Sequence, residues 1–162
     1  VAITKPVIYA KGGLAILSNQ KQDFTQGIKL IENKKIKKIA VANPKTAPYG
    51  IATAQALKNA GVYEKIKNKF VYGESISQTV SYAVTAADIG FIAKSSLYSP
   101  RMSKYKKDIN WAEVEPSLYT PISQGIVILK NGKNNSEVDA FYRFILSKKA
   151  KEILEKFGYL VP

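Results

Sequence analysis

Short apolar runs recur along the chain, each closed by Gly, Pro, Asn or Ser, with helix-spaced apolar positions between them. Residues 14–18, 38–42, 70–72 and 88–93 read as buried strands. After residues 38–42 comes a stiff loop with Pro44 and Pro48, then Ile51, Ala54 and Leu57 at helical spacing, with Gly61 as the stop. After residues 70–72 come Gly73 and Glu74, then Ser75 and Gln78 in the pattern of a capping box, with Ile76, Val80 and Ala83 as an apolar stripe. The chain therefore carries two strand–loop–helix units in tandem. In a parallel sheet both helix starts would lie along one edge, where open α/β folds bind their ligands. A mixed, mainly parallel sheet with helices on both faces is expected.

The flanking segments are plainer. Pro6 to Ala10 is a short apolar piece closed by Gly12 and Gly13. A helix is expected over 24–33, with Ile28 and Ile31 inward, and a polar turn over 62–69. Ser95 to Leu97 could form a short helix, and 109–114 and 125–129 read as strands. The stretch from Glu115 to Pro121 reads as an extended linker. An amphipathic helix is expected over 134–148, with Val138, Phe141, Tyr142 and Ile145 inward, and a second over 149–157, stopped by Gly158.

The chemistry is confined by what the chain lacks. It has no Cys and no His, which leaves no thiolate nucleophile, imidazole base or Cys/His zinc site. With no paired-carboxylate motif either, an enzyme is not expected. The net charge is +13, but only Arg101 and Arg143 are arginines. Bidentate phosphate or base recognition would call for more, so nucleic acid is not expected as a partner. The lysines are spread along the chain and read as a solvated surface with some long-range attraction of anions. No run of apolar residues is long enough for a membrane helix, and no signal peptide is expected within these residues.

What remains is the loop from Asn43 to Gly50 and its counterpart around Ser75. First-turn amides of a helix have no intrahelical acceptor, and the helix dipole favours an anion there. Taken alone, each is also an ordinary helix start.

The ordered series Asn43-Pro-Lys-Thr-Ala-Pro-Tyr-Gly, Tyr72-Gly-Glu-Ser-Ile-Ser-Gln and Ala87-Asp-Ile-Gly-Phe-Ile-Ala resembles the periplasmic molybdate-binding proteins of bacterial ABC transporters. The closing Ala140-Phe-Tyr-Arg-Phe-Ile and Phe157-Gly-Tyr are similar to that family's C-terminal signature. The resemblance implies a type II periplasmic-binding-protein-like α/β clamshell. Residues 1–12 would end the first lobe, 13–120 would form the second, and 121–162 would return toward the first. It implies no cofactor and a molybdate or tungstate ligand held by backbone N–H groups. Those donors fall on Tyr49 and Ile76, with Ser75, Gly50 and Ala93 completing the residues it points to. Some members use a Tyr hydroxyl where this chain has Ala93, so sulfate, phosphate or another small anion fits the same residues. So does a ligand-sensing domain of a transcription regulator. The resemblance further implies a monomer that serves a membrane permease, in the periplasm or anchored outside the cytoplasmic membrane. Roughly the first third of the family's length has no counterpart in this sequence, so half of the family's anion contacts are expected to be absent and binding by these residues alone to be weak.

Overall fold

A computed structural model describes residues 1–162. Its strands are β1 (Val7–Gly12), β2 (Leu14–Leu17), β3 (Ile39–Ala42), β4 (Phe70–Gly73), β5 (Ile89–Ala93), β6 (Trp111–Glu113) and β7 (Ile122–Ile126). Its α-helices are α1 (Pro48–Asn59), α2 (Tyr63–Ile66), α3 (Ile76–Thr85), α4 (Ser136–Ile145) and α5 (Lys148–Lys156). The chain divides into two compact units, Gly13–Ile122 and Val1–Gly12 with Ser123–Pro162. No helix is long and apolar enough to cross a membrane.

Gly13–Ile122 is built on a five-stranded sheet of order β4-β3-β5-β2-β6. Strand β3 runs parallel to β4 and β5, whereas β2 runs antiparallel to β5 and β6. The sheet is thus mixed, as expected, but parallel over only half of its pairings. A parallel pair needs a crossover, usually a helix. Only α1 with α2, and α3, supply one, and apolar patterning does not reveal a strand's direction.

Successive strand residues serve opposite faces. Leu14, Ile16, Ile39, Val41, Ile89 and Phe91 pack with Ala52, Ala56 and Leu57 of α1 in one buried cluster. Ala15, Leu17, Ala40 and Ile92 pack with Ala83 of α3 in the other. The period-two alternation is the reason four short runs can hold a layer of helix on each side.

Residues 24–33 depart from the expected α-helix. They form a 3-10 run, Phe24–Glu32, broken at Gly27, whose φ of 55° suits a residue without Cβ. Ile28 and Ile31 are nevertheless buried. The short helix near Ser95 is present as a 3-10 turn, Lys94–Tyr98.

In the second unit β1 pairs with β7, and Leu160 bridges back to Lys11. The strand expected at 125–129 lies earlier, at Ile122–Ile126, and the amide of Ile128 donates instead to Thr4 Oγ1 at 2.9 Å. The single long helix expected over 134–148 ends at Ile145, because Ser147 caps a new helix by accepting from the Ala150 amide at 3.2 Å. Phe141, expected inward, is 61% exposed. Its stripe is correctly spaced, but no element of these residues covers that face.

Candidate functional site

The all-buried strand β3 delivers the chain into Asn43 at one edge of the sheet. Asn43 shapes the loop that follows. Its carbonyl accepts from the amides of Thr46 at 3.1 Å and Ala47 at 2.9 Å, and its Oδ1 accepts from the Lys45 amide at 3.0 Å. Helix α1 then starts with Ala47 as an extended cap that has no side-chain bond, and Pro48 stands at the first helical position. Tyr49 is half-buried, packs against the α1-side core, and its carbonyl accepts from Thr53 Oγ1 at 2.8 Å. Gly50 contributes differently. Its amide donates to the Ala47 carbonyl at 2.9 Å, and an added Cβ would lie 2.3 Å from the Ala42 carbonyl oxygen. Its bare backbone lets the first turn of α1 sit directly on the end of β3.

The second loop starts one strand over. Ser75 is extended, with φ −138° and ψ 161°, and its hydroxyl accepts from the Gln78 amide at 3.2 Å. Gln78 reaches back as expected, but to the Glu74 amide, which donates to its Oε1 at 2.7 Å. Ile76 is the first residue of α3 and is half-buried, and its amide has no acceptor within the chain. An orphan donor of this kind at a helix start is what an anion meets.

The two starts are neighbours because β3 and β4 are paired in parallel and Asn43 N donates to the Gly73 carbonyl at 2.7 Å. Yet α1 and α3 pack on opposite faces, so the loops leaving β3 and β4 diverge. That is a topological switch point, the place where open α/β sheets form a ligand crevice. Ala93 closes β5 on the same edge. It is buried, its side chain offers no donor, and the amide after it, Lys94 N, donates to the Gly13 carbonyl at 2.9 Å.

Some lysines that are far apart in the sequence share one edge of the sheet. Lys37 and Lys38 precede β3, Lys67 and Lys69 precede β4, and Lys107 bridges to Trp111 beside the far end of β2. All lie at the edge opposite the two helix starts. At the helix-start edge the exposed Lys45 sits alongside Glu74, and Lys94 is ion-paired with Glu113 at 2.8 Å. At this edge both of these lysines are offset by a neighbouring carboxylate. No group of three or more His, Cys, Asp or Glu is placed to hold a metal ion.

Asn43 and Thr46 lie in the loop the sequence singles out, but their pairing with Glu74 was not legible there. Asn43 Nδ2 donates to both Glu74 carboxylate oxygens, at 3.2 and 3.4 Å, and Thr46 Oγ1 donates to the Glu74 carbonyl at 3.0 Å. An Asn placed between a strand and a proline was the available hint for the turn.

The family model for bacterial extracellular solute-binding proteins matches residues 1–160. The chain is 36% identical over 152 residues to the molybdate-binding protein ModA of Azotobacter vinelandii, covering 93% of this chain and 59% of that protein. It is 37% identical over 123 residues to the molybdate-binding protein ModA of Rhodobacter capsulatus, covering 75% of this chain and 46% of that protein. The solved structure of the Azotobacter vinelandii periplasmic molybdate-binding protein superposes with a TM-score of 0.85 at 28% identity, covering 99% of this chain and 69% of that one. The chain thus shares the type II periplasmic-binding-protein fold, and it spans about half to three-fifths of the length of these curated relatives.

Proposed function

We propose a function for this chain from one premise: it belongs to the bacterial extracellular solute-binding protein family. On that premise it is the oxyanion-holding part of the substrate-binding component of a molybdate or tungstate ABC transporter. It works outside the cytoplasmic membrane and hands its ligand to a membrane permease. It binds as a monomer, without a cofactor, and does no chemistry on the ligand; its partner is a small anion and no nucleic acid.

The observation that carries this reading is the pair of helix starts flanking a switch point. The amide of Ile76, the first residue of α3, has no acceptor within the chain, and the start of α1 at Tyr49 lies one strand away. An array that only donates suits a fully ionised tetrahedral dianion. A protonated oxyanion would set a donor against donors and lose a hydrogen bond. Ser75 holds its turn rigid through Gln78, and Gly50 lets α1 approach β3. Ala93 gives no hydroxyl, so selection among anions rests on amide spacing and cavity size. The names of the relatives favour molybdate.

Calorimetry on the protein as its gene encodes it, with molybdate, tungstate, sulfate and phosphate, tests the assignment. Molybdate and tungstate are expected to bind at least about tenfold more tightly than sulfate and phosphate, a difference of about 1.4 kcal/mol. Tighter binding of sulfate or phosphate would reassign the ligand. Binding of none of the four would remove the reading.

A further inference from the structure

We propose that Asn43, Thr46 and Glu74 form a positioning bridge that sets the spacing between the two helix starts and so tunes oxyanion affinity. The proposal rests on the reading of those starts as an oxyanion site. The residues belong to different loops: Asn43 and Thr46 to the one after β3, Glu74 to the one after β4. Side-chain bonds join them at two places. Asn43 Nδ2 donates to the Glu74 carboxylate at 3.2 and 3.4 Å, and Thr46 Oγ1 donates to the Glu74 carbonyl at 3.0 Å. Each partner is itself fixed. The Glu74 amide is held by Gln78 Oε1 at 2.7 Å, and the other end of the Asn43 side chain accepts from the Lys45 amide at 3.0 Å.

The site needs such a device. Since α1 and α3 pack on opposite faces of the sheet, beyond the β3–β4 pairing their starts are related through these loops. Two donors serving one anion have to keep their geometry to about 0.5 Å. A bridge present before the ligand arrives lowers the cost of ordering on binding. Thr46 and Glu74 are exposed to solvent, where bonds of this kind add little to global stability. Their effect is therefore expected in affinity rather than in folding.

Charge sharpens the test, because a carboxylate near an anion site weakens anion binding by repulsion. Replacing Glu74 should then improve affinity if charge alone matters, and weaken it if the bridge matters. Glu74→Gln removes the charge and keeps an acceptor for Asn43; Glu74→Ala removes both; Thr46→Val removes the second bond at nearly constant shape.

The experiment uses the protein as its gene encodes it, with molybdate as the probe in calorimetry and stopped-flow. Glu74→Ala and Thr46→Val are expected to bind about three- to tenfold more weakly, mainly through slower productive association, as when the competent fraction falls. Glu74→Gln should stay within about twofold of the parent or bind more tightly, and melting temperatures should shift by no more than about 2 °C. Without ligand, amide exchange over residues 43–47 and 73–78 should quicken in Glu74→Ala. The proposal is overturned if Glu74→Ala binds as well as the parent or better, if Glu74→Gln is as weak as Glu74→Ala, or if exchange in both loops is unchanged. If the parent binds molybdate and these variants behave alike, only the bridge falls. If the parent binds no tetrahedral oxyanion, the functional reading falls and takes the bridge with it.

Discussion

An alanine in place of Gly50 sets two rules against each other. Gly50 is the third residue of α1. In a helix, Gly→Ala ordinarily stabilises by about 0.5–1 kcal/mol, because glycine has more backbone freedom to lose. The packing argues the opposite. A Cβ here would lie 2.3 Å from the Ala42 carbonyl oxygen and 2.8 Å from the carbonyl carbons of Ala42 and Asn43. All three atoms are main chain at and just after the end of β3, where Ala42 pairs with Gly73 of β4 and Asn43 N donates to the Gly73 carbonyl, so none can swing away as a side-chain tip could. Overpacking costs about 1–3 kcal/mol, and with an immovable obstacle the upper end applies. Subtracting the propensity gain leaves a net loss of about 2 kcal/mol. For a chain of this size that lowers Tm by about 4–8 °C. The single tryptophan, Trp111, is buried in this unit, so urea unfolding followed by its fluorescence reports the change. Gly50→Ala as stable as the parent, or more so, would refute the reasoning and leave α1 free to move from β3.

Two other substitutions probe the frame around the site. Tyr119 Oη accepts from the Leu14 amide at 2.9 Å, and Leu14 is fully buried, so Tyr119→Phe should cost about 1–3 kcal/mol by stranding that donor; unchanged urea stability would count against it. Burial also raises the Tyr119 phenol above its ordinary value of 10.0. A raised folded value means stability is complete below pH 10 and lost as pH rises beyond it, so the parent should lose more stability than Tyr119→Phe between about pH 9 and about pH 11. Ser75→Ala removes the cap of α3 and should cost about 1 kcal/mol in the same unfolding assay, with oxyanion affinity falling as the turn loosens.

Much of the sheet was legible because β3, β4 and β5 are short apolar runs closed by loop residues, and because Ser75 and Gln78 announce a helix start. Their parallel order follows from the helices between them. The direction of β2 was not legible, since a buried run looks the same whichever way its neighbours travel. Gly27 hid in a helical pattern, its left-handed φ visible only once the chain is folded. Phe141 has inward spacing, but spacing cannot say whether anything covers it. The pairing of Asn43 with Glu74 joins residues 31 apart in sequence, beyond any local signal. The shared edge of Lys37, Lys38, Lys67, Lys69 and Lys107 was hidden for the same reason, since strand register brings them together.

The central claim is that a backbone amide at the start of α3 holds the oxyanion, and one pair of variants isolates that amide. Ile76 stands at the first helical position after an extended Ser75, where proline fits both the residue and the one before it. Ile76→Pro therefore deletes the donor and leaves the helix in place, whereas Ile76→Ala trims the side chain and keeps the donor. Molybdate affinity is to be measured for both in the protein as its gene encodes it. The account predicts that the alanine variant binds within a fewfold of the parent. The proline variant should bind about ten- to hundredfold more weakly, matching the loss of about 1.5–3 kcal/mol for a hydrogen bond to a charged acceptor. A folded proline variant that binds as tightly as the alanine variant would contradict it.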